Sequence, residues 1–459
     1  MTALNKINKL YRTKVKPFAA LIIALIVFIT YFYYALVSHR TPTGDEPHYV
    51  LATISLIKDH DLNLLNNYIE QDYLDFAQYA TLDMHAREYQ KGILFPVHSY
   101  WFSLLLLPFY LIAGLPGIYF FLASLLAVSI YLINKIMCFL LAPDKQYLAY
   151  GSSLTFAFIV PFASSSITIY PSVPGTVLVL LSLYFYCKFL RTDKTVYLGY
   201  SLLTIATIEF LHHTYLIISV AWVIYLVLNY YNRLSKRIFF AVALVYLVWI
   251  VTPYFWGGDI FVGSQKGNFI NLQTFFNQFA YHSFNLEIGL ISNSPVYALL
   301  VIIPIILIVL SKRVNLLSIK ALQLSYVSLV CFYSFVCLHQ ITPGESPIAR
   351  YFVPVLPLVF ISIVYAISLS YFTELLFCIL VAYSFLIGIV IFDTRCNVLS
   401  CHSWIVERLQ EWTGSKLLFQ ISYFDDYQLA GIFIFSGFLA TLVVNQLFLS
   451  AKNFLNYQQ

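Results

Sequence analysis

The sequence predicts an all-α integral membrane protein: a polytopic bundle of about 12 transmembrane helices with a long external first loop that carries interfacial helices. Three observations lead there. Of 459 residues, 60% are hydrophobic and only 10% charged, whereas a soluble domain needs about a quarter of its residues charged to cover its surface. Mean hydropathy is +0.79, and the apolar residues gather in runs long enough to cross a bilayer. The Lys and Arg residues cluster in the short connectors between those runs. Residues 1–459 therefore read as one membrane domain with no separate soluble domain.

The first apolar run, Phe18 to Val37, suffices to cross ~30 Å of hydrocarbon. No small-residue cleavage site follows it, so it reads as a retained span. Further spans are expected near 117–141, 147–164, 173–190, 196–211, 214–230, 237–254, 295–311, 319–338, 351–369, 373–392 and 429–449. The stretch 99–113 is short, contains Pro108 and ends at Gly114-Leu115-Pro116-Gly117, which predicts a helix that dips without crossing. Charge supports that count. With both termini cytoplasmic, 17 of the 26 Lys and Arg lie inside, including the clusters Lys188–Lys194, Arg233–Arg237 and Lys312–Lys320. Counting 99–113 as a span would put those clusters outside, against the positive-inside rule.

Three connections are left long and external: 39–98, 255–294 and 393–428. Five cysteines (Cys138, Cys187, Cys331, Cys337, Cys378) fall in or beside apolar runs and read as small packing residues. Cys396 and Cys401 lie in a polar loop and could pair in an oxidising compartment. The basic clusters are short and sit where topology needs them, which argues against nucleic-acid binding. No phosphate-binding loop, dinucleotide fingerprint or zinc-finger spacing occurs.

The loop 39–98 holds nine of the 21 carboxylates. It opens Thr41-Pro42-Thr43-Gly44-Asp45-Glu46-Pro47-His48-Tyr49. Pro42 and Gly44 predict a turn, and Pro47 suits the first turn of a helix running to about Lys58. Asp45 and Glu46 then stand at its N-terminus, where the dipole favours carboxylates. Tyr49, Ala52, Thr53 and Leu56 share one side, predicting an amphipathic helix on the membrane surface. Helix capping alone would explain the acidic pair.

The run TGDEPHYVLATISLIKDHDLNLLNNY just after a first span resembles the opening of the polytopic GT-C glycosyltransferases, which include protein O-mannosyltransferases and lipid A aminoarabinose transferases. FPVHSYWFSLLLLPFYLIAGLPG, IVPFASSSITIYPSVPG and SPIARYFVPVLPL are similar to that superfamily's return from the first loop, its next external turn and its Arg-Tyr entry to a late span. The resemblance implies a GT-C-like fold, with Asp45 and Glu46 as catalytic residues. It makes Asp45 the base or the substrate-positioning carboxylate, and the donor a sugar on a polyprenyl phosphate. No soluble external domain follows the last span, unlike in the larger members.

Other residues are candidates on chemistry. Arg350 stands at the mouth of a late span, suited either to fork onto a lipid phosphate or to snorkel to ordinary headgroups. His48, His98 and Tyr170 are further substrate-binding candidates, although a lone His or Tyr at an interface is often only an anchor. Glu209, His212 and His213 lie at the outer end of the fifth span, where ionisable groups are costly. Glu209 and His213, four residues apart on one helix, could help hold a divalent metal or merely brace the bundle. Asp72, Asp75, Asp83, His85 and Glu88 read as solvated loop charges, with room for one further acidic site residue.

The expected activity is thus inverting transfer of a sugar from a polyprenyl-phosphate donor to a lipid, glycan or protein acceptor outside a bacterial inner membrane. The alternatives are a secondary transporter or lipid flippase of similar span number, and a polysaccharide polymerase or ligase.

Overall fold

The computed structural model describes residues 16–38, 41–77, 81–166, 168–255, 272–284, 289–300, 303, 315–338 and 350–393. The expected span 429–449, most of 295–311, the Cys396–Cys401 pair and the loop 393–428 beyond its first residue lie outside the described residues.

The chain is an all-α integral membrane protein. Among the described residues, five helical stretches are long and apolar enough to span a bilayer: Phe18–Val37, Tyr100–Leu140, Ser172–Thr192, His213–Arg233 and Leu317–Leu338. In chain order the elements begin with α1 (Lys16–Val37), α2 (Glu46–Lys58), α3 (Leu65–Ile69) and a hairpin of β1 (Ala86–Gln90) and β2 (Ile93–Pro96). There follow α4 (Tyr100–Leu140), α5 (Gln146–Ala157), α6 (Phe162–Ser166), α7 (Ser172–Thr192), α8 (Thr195–Ile205), α9 (Leu216–Tyr230) and α10 (Lys236–Phe255). The later helices are α11 (Leu272–Phe284), α12 (Leu290–Asn293), α13 (Leu316–Leu338), α14 (Leu356–Ile367) and α15 (Tyr371–Asp393).

Lipid solvation is legible in α1. Phe18, Leu21, Ile22, Leu25 and Ile29 are exposed, while Ala24, Val27 and Tyr31 face the bundle. An apolar stripe of this kind facing outward is stable in hydrocarbon and costly in water. The inward faces of α1, α4, α7, α9, α13 and α14 share one core, in which Val27, Phe102, Leu126, Leu180, Trp222, Leu324 and Phe360 are fully enclosed.

Two local features depart from uniform spans. Within α4 the backbone breaks at Ala113 and Gly114, the latter at φ 61° and ψ −141°. The first limb, from Tyr100 to Ile112, spans only about 20 Å at 1.5 Å per residue. It then folds back until the Phe109 and Phe121 rings stack at 4.2 Å. The segment expected as a span over 147–164 is two helices, α5 and α6, separated by a turn.

The first long connection folds into a small cap with its own core. Leu51, Ala52 and Leu56 of α2 pack with Leu62, Leu64, Tyr68, Tyr73, Phe95 and Tyr100, while Tyr49, Val50 and Ile54 face the bundle core. Every residue from Glu46 to Leu56 is buried. This corrects the expectation of a half-exposed surface helix: α2 is sandwiched between α4 and the folded remainder of the connection. The hairpin pairs Glu88 with Leu94 and Ala86 with Pro96. It is pinned back by Leu64 N–H donating to the Leu94 carbonyl at 2.8 Å and by Asn63 Oδ1 accepting the Leu94 N–H at 2.9 Å.

Candidate functional site

Helix α2 starts where Pro47 predicts, and Asp45 is the residue at its N-cap position, but the Asp45 side chain makes no capping bond. It turns instead toward Arg350, whose Nη1 donates to Asp45 Oδ2 at 2.9 Å. Both partners are largely enclosed, with side-chain exposures of 22% for Asp45 and 10% for Arg350. The guanidinium lies over the Tyr170 ring, 4.2 Å from its centroid, and Nη2 donates to the Tyr351 hydroxyl at 3.1 Å. The Tyr170 hydroxyl in turn accepts the Asp45 backbone N–H at 3.3 Å. Stacking on aromatic rings holds the planar cation in one orientation.

The other carboxylate oxygen faces two imidazoles. Asp45 Oδ1 lies 3.5 Å from His98 Nε2 and 3.6 Å from His85 Nδ1. His85 stands just before β1, so the hairpin delivers it. The His48 ring stacks on it at 4.3 Å between centroids, and the Tyr68 hydroxyl accepts the His85 backbone N–H at 3.2 Å while bonding His48 Nδ1 at 2.8 Å. Among the described residues, Asp45, His85 and His98 form a group whose potential metal-binding atoms all lie within 4.8 Å of one another.

Electrostatics follow from this crowding. Burial alone would raise the Asp45 carboxyl, yet the contact with His85 and the charge of Arg350 outweigh it and hold the group well below the usual carboxylate range. His85, half-exposed, is raised by its contact with Asp45. Burial depresses His98 to about 4, against the pull of Asp45. Burial and the neighbouring His85 depress His48 to about 3. A buried imidazole kept neutral offers a lone pair rather than a charge.

Asp45, Arg350, His48, His98 and Tyr170 therefore come together at one place, although they are spread from one end of the described chain to the other. Glu46 stands beside them with a different task. Its carboxylate accepts the N–H of Thr43 at 2.8 Å and the N–H of Ile169, and it is 1% exposed. It thereby ties the loop's start to the segment that carries Tyr170.

The expected metal trio Glu209, His212 and His213 is arranged otherwise. Helix α8 ends at Ile205, and the chain continues as two 3-10 turns, Ile208–Phe210 and His213–Tyr215, so Glu209 and His213 do not share a helix face. His212 bonds the Thr214 hydroxyl at 2.7 Å, and its ring stacks on His213 at 4.6 Å. Glu209 is buried with no hydrogen bond to either oxygen, and the nearby Ser219 hydroxyl is engaged with Tyr246 at 2.7 Å. These turns nonetheless flank the site: Ser99 donates to the Phe210 carbonyl, and Trp101 meets the Phe210 ring edge-on at 4.9 Å.

His85 is the residue that sequence reasoning passed over, as one polar residue in a loop of polar residues. Of its companions, Asp72 and Asp75 are neutralised by Lys58 at 2.6 and 3.0 Å. The tract Trp256-Gly257-Gly258-Asp259, in the connection 255–294, lies outside the described residues. No family model, curated protein or solved structure matches this chain.

Proposed function

We propose that this chain is a membrane glycosyltransferase of GT-C type, which moves a sugar from a polyprenyl-phosphate donor to an acceptor hydroxyl. In this reading it has about twelve spans and cytoplasmic termini in a bacterial inner membrane, and its site faces outward. The observation that carries the reading is the largely enclosed Asp45–Arg350 pair at 2.9 Å, with Asp45 just beyond the first span. An enclosed carboxylate and an enclosed, stacked guanidinium are the two charges that inverting transfer from a phosphate needs.

In the proposed step the acceptor oxygen attacks the anomeric carbon, and the bond from that carbon to the phosphate oxygen breaks. The electron pair leaves with the phosphate, which Arg350 stabilises. The acceptor's proton passes to Asp45, or Asp45 holds the hydroxyl in line and the proton leaves to solvent or to the departing phosphate. His48, His98 and Tyr170 shape the surroundings, and the polyprenyl tail stays in lipid, so no nucleotide-binding domain is needed.

The test is incubation of the purified full chain with a labelled polyprenyl-phosphate sugar and candidate acceptors. Release of free polyprenyl phosphate with transfer of the label supports the reading. Uptake of the lipid-linked sugar across proteoliposomes with its glycosyl bond intact would mean a transporter or flippase. Chain growth on a glycan acceptor would narrow the enzyme to a polymerase or ligase.

A further inference from the structure

The arrangement around Asp45 Oδ1 is unusual for a hydrogen-bonded carboxylate. Both imidazole nitrogens lie near one oxygen, at 3.5 and 3.6 Å, beyond the usual range of a charge-assisted hydrogen bond of about 2.7–2.9 Å. Two ligands of a tetrahedral metal with bonds of ~2.0–2.1 Å stand roughly 3.4 Å apart. His98 Nε2 is moreover buried with no hydrogen-bond partner. A buried imidazole nitrogen is ordinarily satisfied, and a metal ion would satisfy this one.

We propose that Asp45 Oδ1, His85 Nδ1 and His98 Nε2 form a three-ligand site for a divalent metal ion of the zinc type, with a further position open to substrate. Two imidazoles and one carboxylate make a donor set of the kind that catalytic zinc sites use. The supporting shell is present as well. Arg350 holds Oδ2 at 2.9 Å, which turns Oδ1 toward the histidines. His48 stacks on His85, and Tyr68 secures the backbone of His85. Such partners orient metal ligands and raise affinity.

The charges indicate the occupant of the open position. One carboxylate, one guanidinium and a divalent ion leave the site with a surplus of two positive charges. A phosphate oxygen is the ligand that answers this, and Arg350 already stands beside it. This assignment of the open position rests on the transfer reading above; the metal site itself does not. A metal-bound carboxylate is a weaker base, so the ion favours Asp45 as the group that holds the acceptor, whose proton then leaves to solvent or to the departing phosphate.

The experiment uses the full chain purified in detergent, stripped with chelator, then titrated with Zn²⁺ alone and with Co²⁺ as a coloured substitute. The expected result is about one ion per chain and a tetrahedral Co²⁺ spectrum that Zn²⁺ bleaches. The His98→Ala variant should bind at least tenfold more weakly, and His85→Ala/His98→Ala should not bind stoichiometrically. Glu209→Gln and His213→Ala should bind like the parent. Wild-type protein that takes up neither ion stoichiometrically overturns the proposal, and this outcome needs no variant to fold. So does uptake that survives in a monodisperse double variant, or uptake that disappears with Glu209→Gln instead. Stoichiometric binding in a protein that transfers no sugar would uphold the site and sink the transfer reading; transfer without binding would do the reverse.

Discussion

Arg350 Nη1 reaches Asp45 Oδ2 at 2.9 Å across 305 residues of sequence, and so closes the C-terminal part of the described bundle onto the start of α2. With so little solvent at either end, each charge depends on the other. Removing one partner of a buried pair leaves an uncompensated charge and costs about 3–5 kcal/mol, often more than removing both. Arg350→Ala should therefore lower thermal stability in detergent more than the double variant Arg350→Ala/Asp45→Ala does. Equal or greater loss in the double variant would mean that the pair is not coupled.

Asp45→Asn separates two roles of that carboxylate. Asparagine caps a helix as well as aspartate, and the Asp45 side chain makes no cap bond in any case. Turnover in the transfer assay should fall on the order of a hundredfold or more, whether Asp45 takes the acceptor's proton or holds its hydroxyl in line. Near-normal turnover would remove Asp45 from the chemistry.

Glu46→Gln addresses the neighbouring carboxylate. It loses charge-assisted acceptance from the N–H groups of Thr43 and Ile169 while keeping an oxygen. A stability loss of about 1–3 kcal/mol is expected, with turnover per folded molecule less affected than by Asp45→Asn. A larger turnover loss than in Asp45→Asn would move the catalytic role to Glu46.

The fold-back in α4 depends on two glycines. Gly114 holds φ +61° with ψ −141°, a region essentially confined to glycine and costly for other residues by about 1–3 kcal/mol. A Cβ at Gly117 would collide with the backbone carbonyl of Phe109. Gly117→Ala should thus yield little monodisperse protein. Gly151→Ala, where an added Cβ meets nothing within 4 Å, should express normally. Equal yields of the two would argue against the tight return between Phe109 and Gly117.

The proposed topology is tested by labelling single cysteines in a cysteine-free background with an impermeant reagent in intact cells. Asp83→Cys should react and Lys236→Cys should not, because that orientation keeps most basic residues inside. Reaction at position 236 would invert the scheme.

The helix start at Pro47, the break at Gly114 and the apolar runs were legible in the sequence because each depends on local covalent geometry or on summed hydrophobicity. Where the reading missed, the decisive neighbour was distant. The side pattern of Tyr49, Ala52, Thr53 and Leu56 predicted a half-exposed helix. The residues that complete its burial, among them Leu64, Tyr68 and Phe95 packed against Leu51, Ala52 and Leu56, arrive from later in the same connection. Glu209 and His213 were placed on one helix by counting, but the chain turns between them.

By itself the sequence determined that this is a helical membrane protein and that an acidic pair opens its first long connection, because hydropathy and turn chemistry act over a few residues. Only the tertiary structure decided that Asp45 faces Arg350, that His85 and not Asp72 or Asp75 joins it, and that Glu46 buttresses a backbone. Those partnerships form between segments up to 305 residues apart. What selects them is the packing that excludes water and lets each buried charge keep one partner.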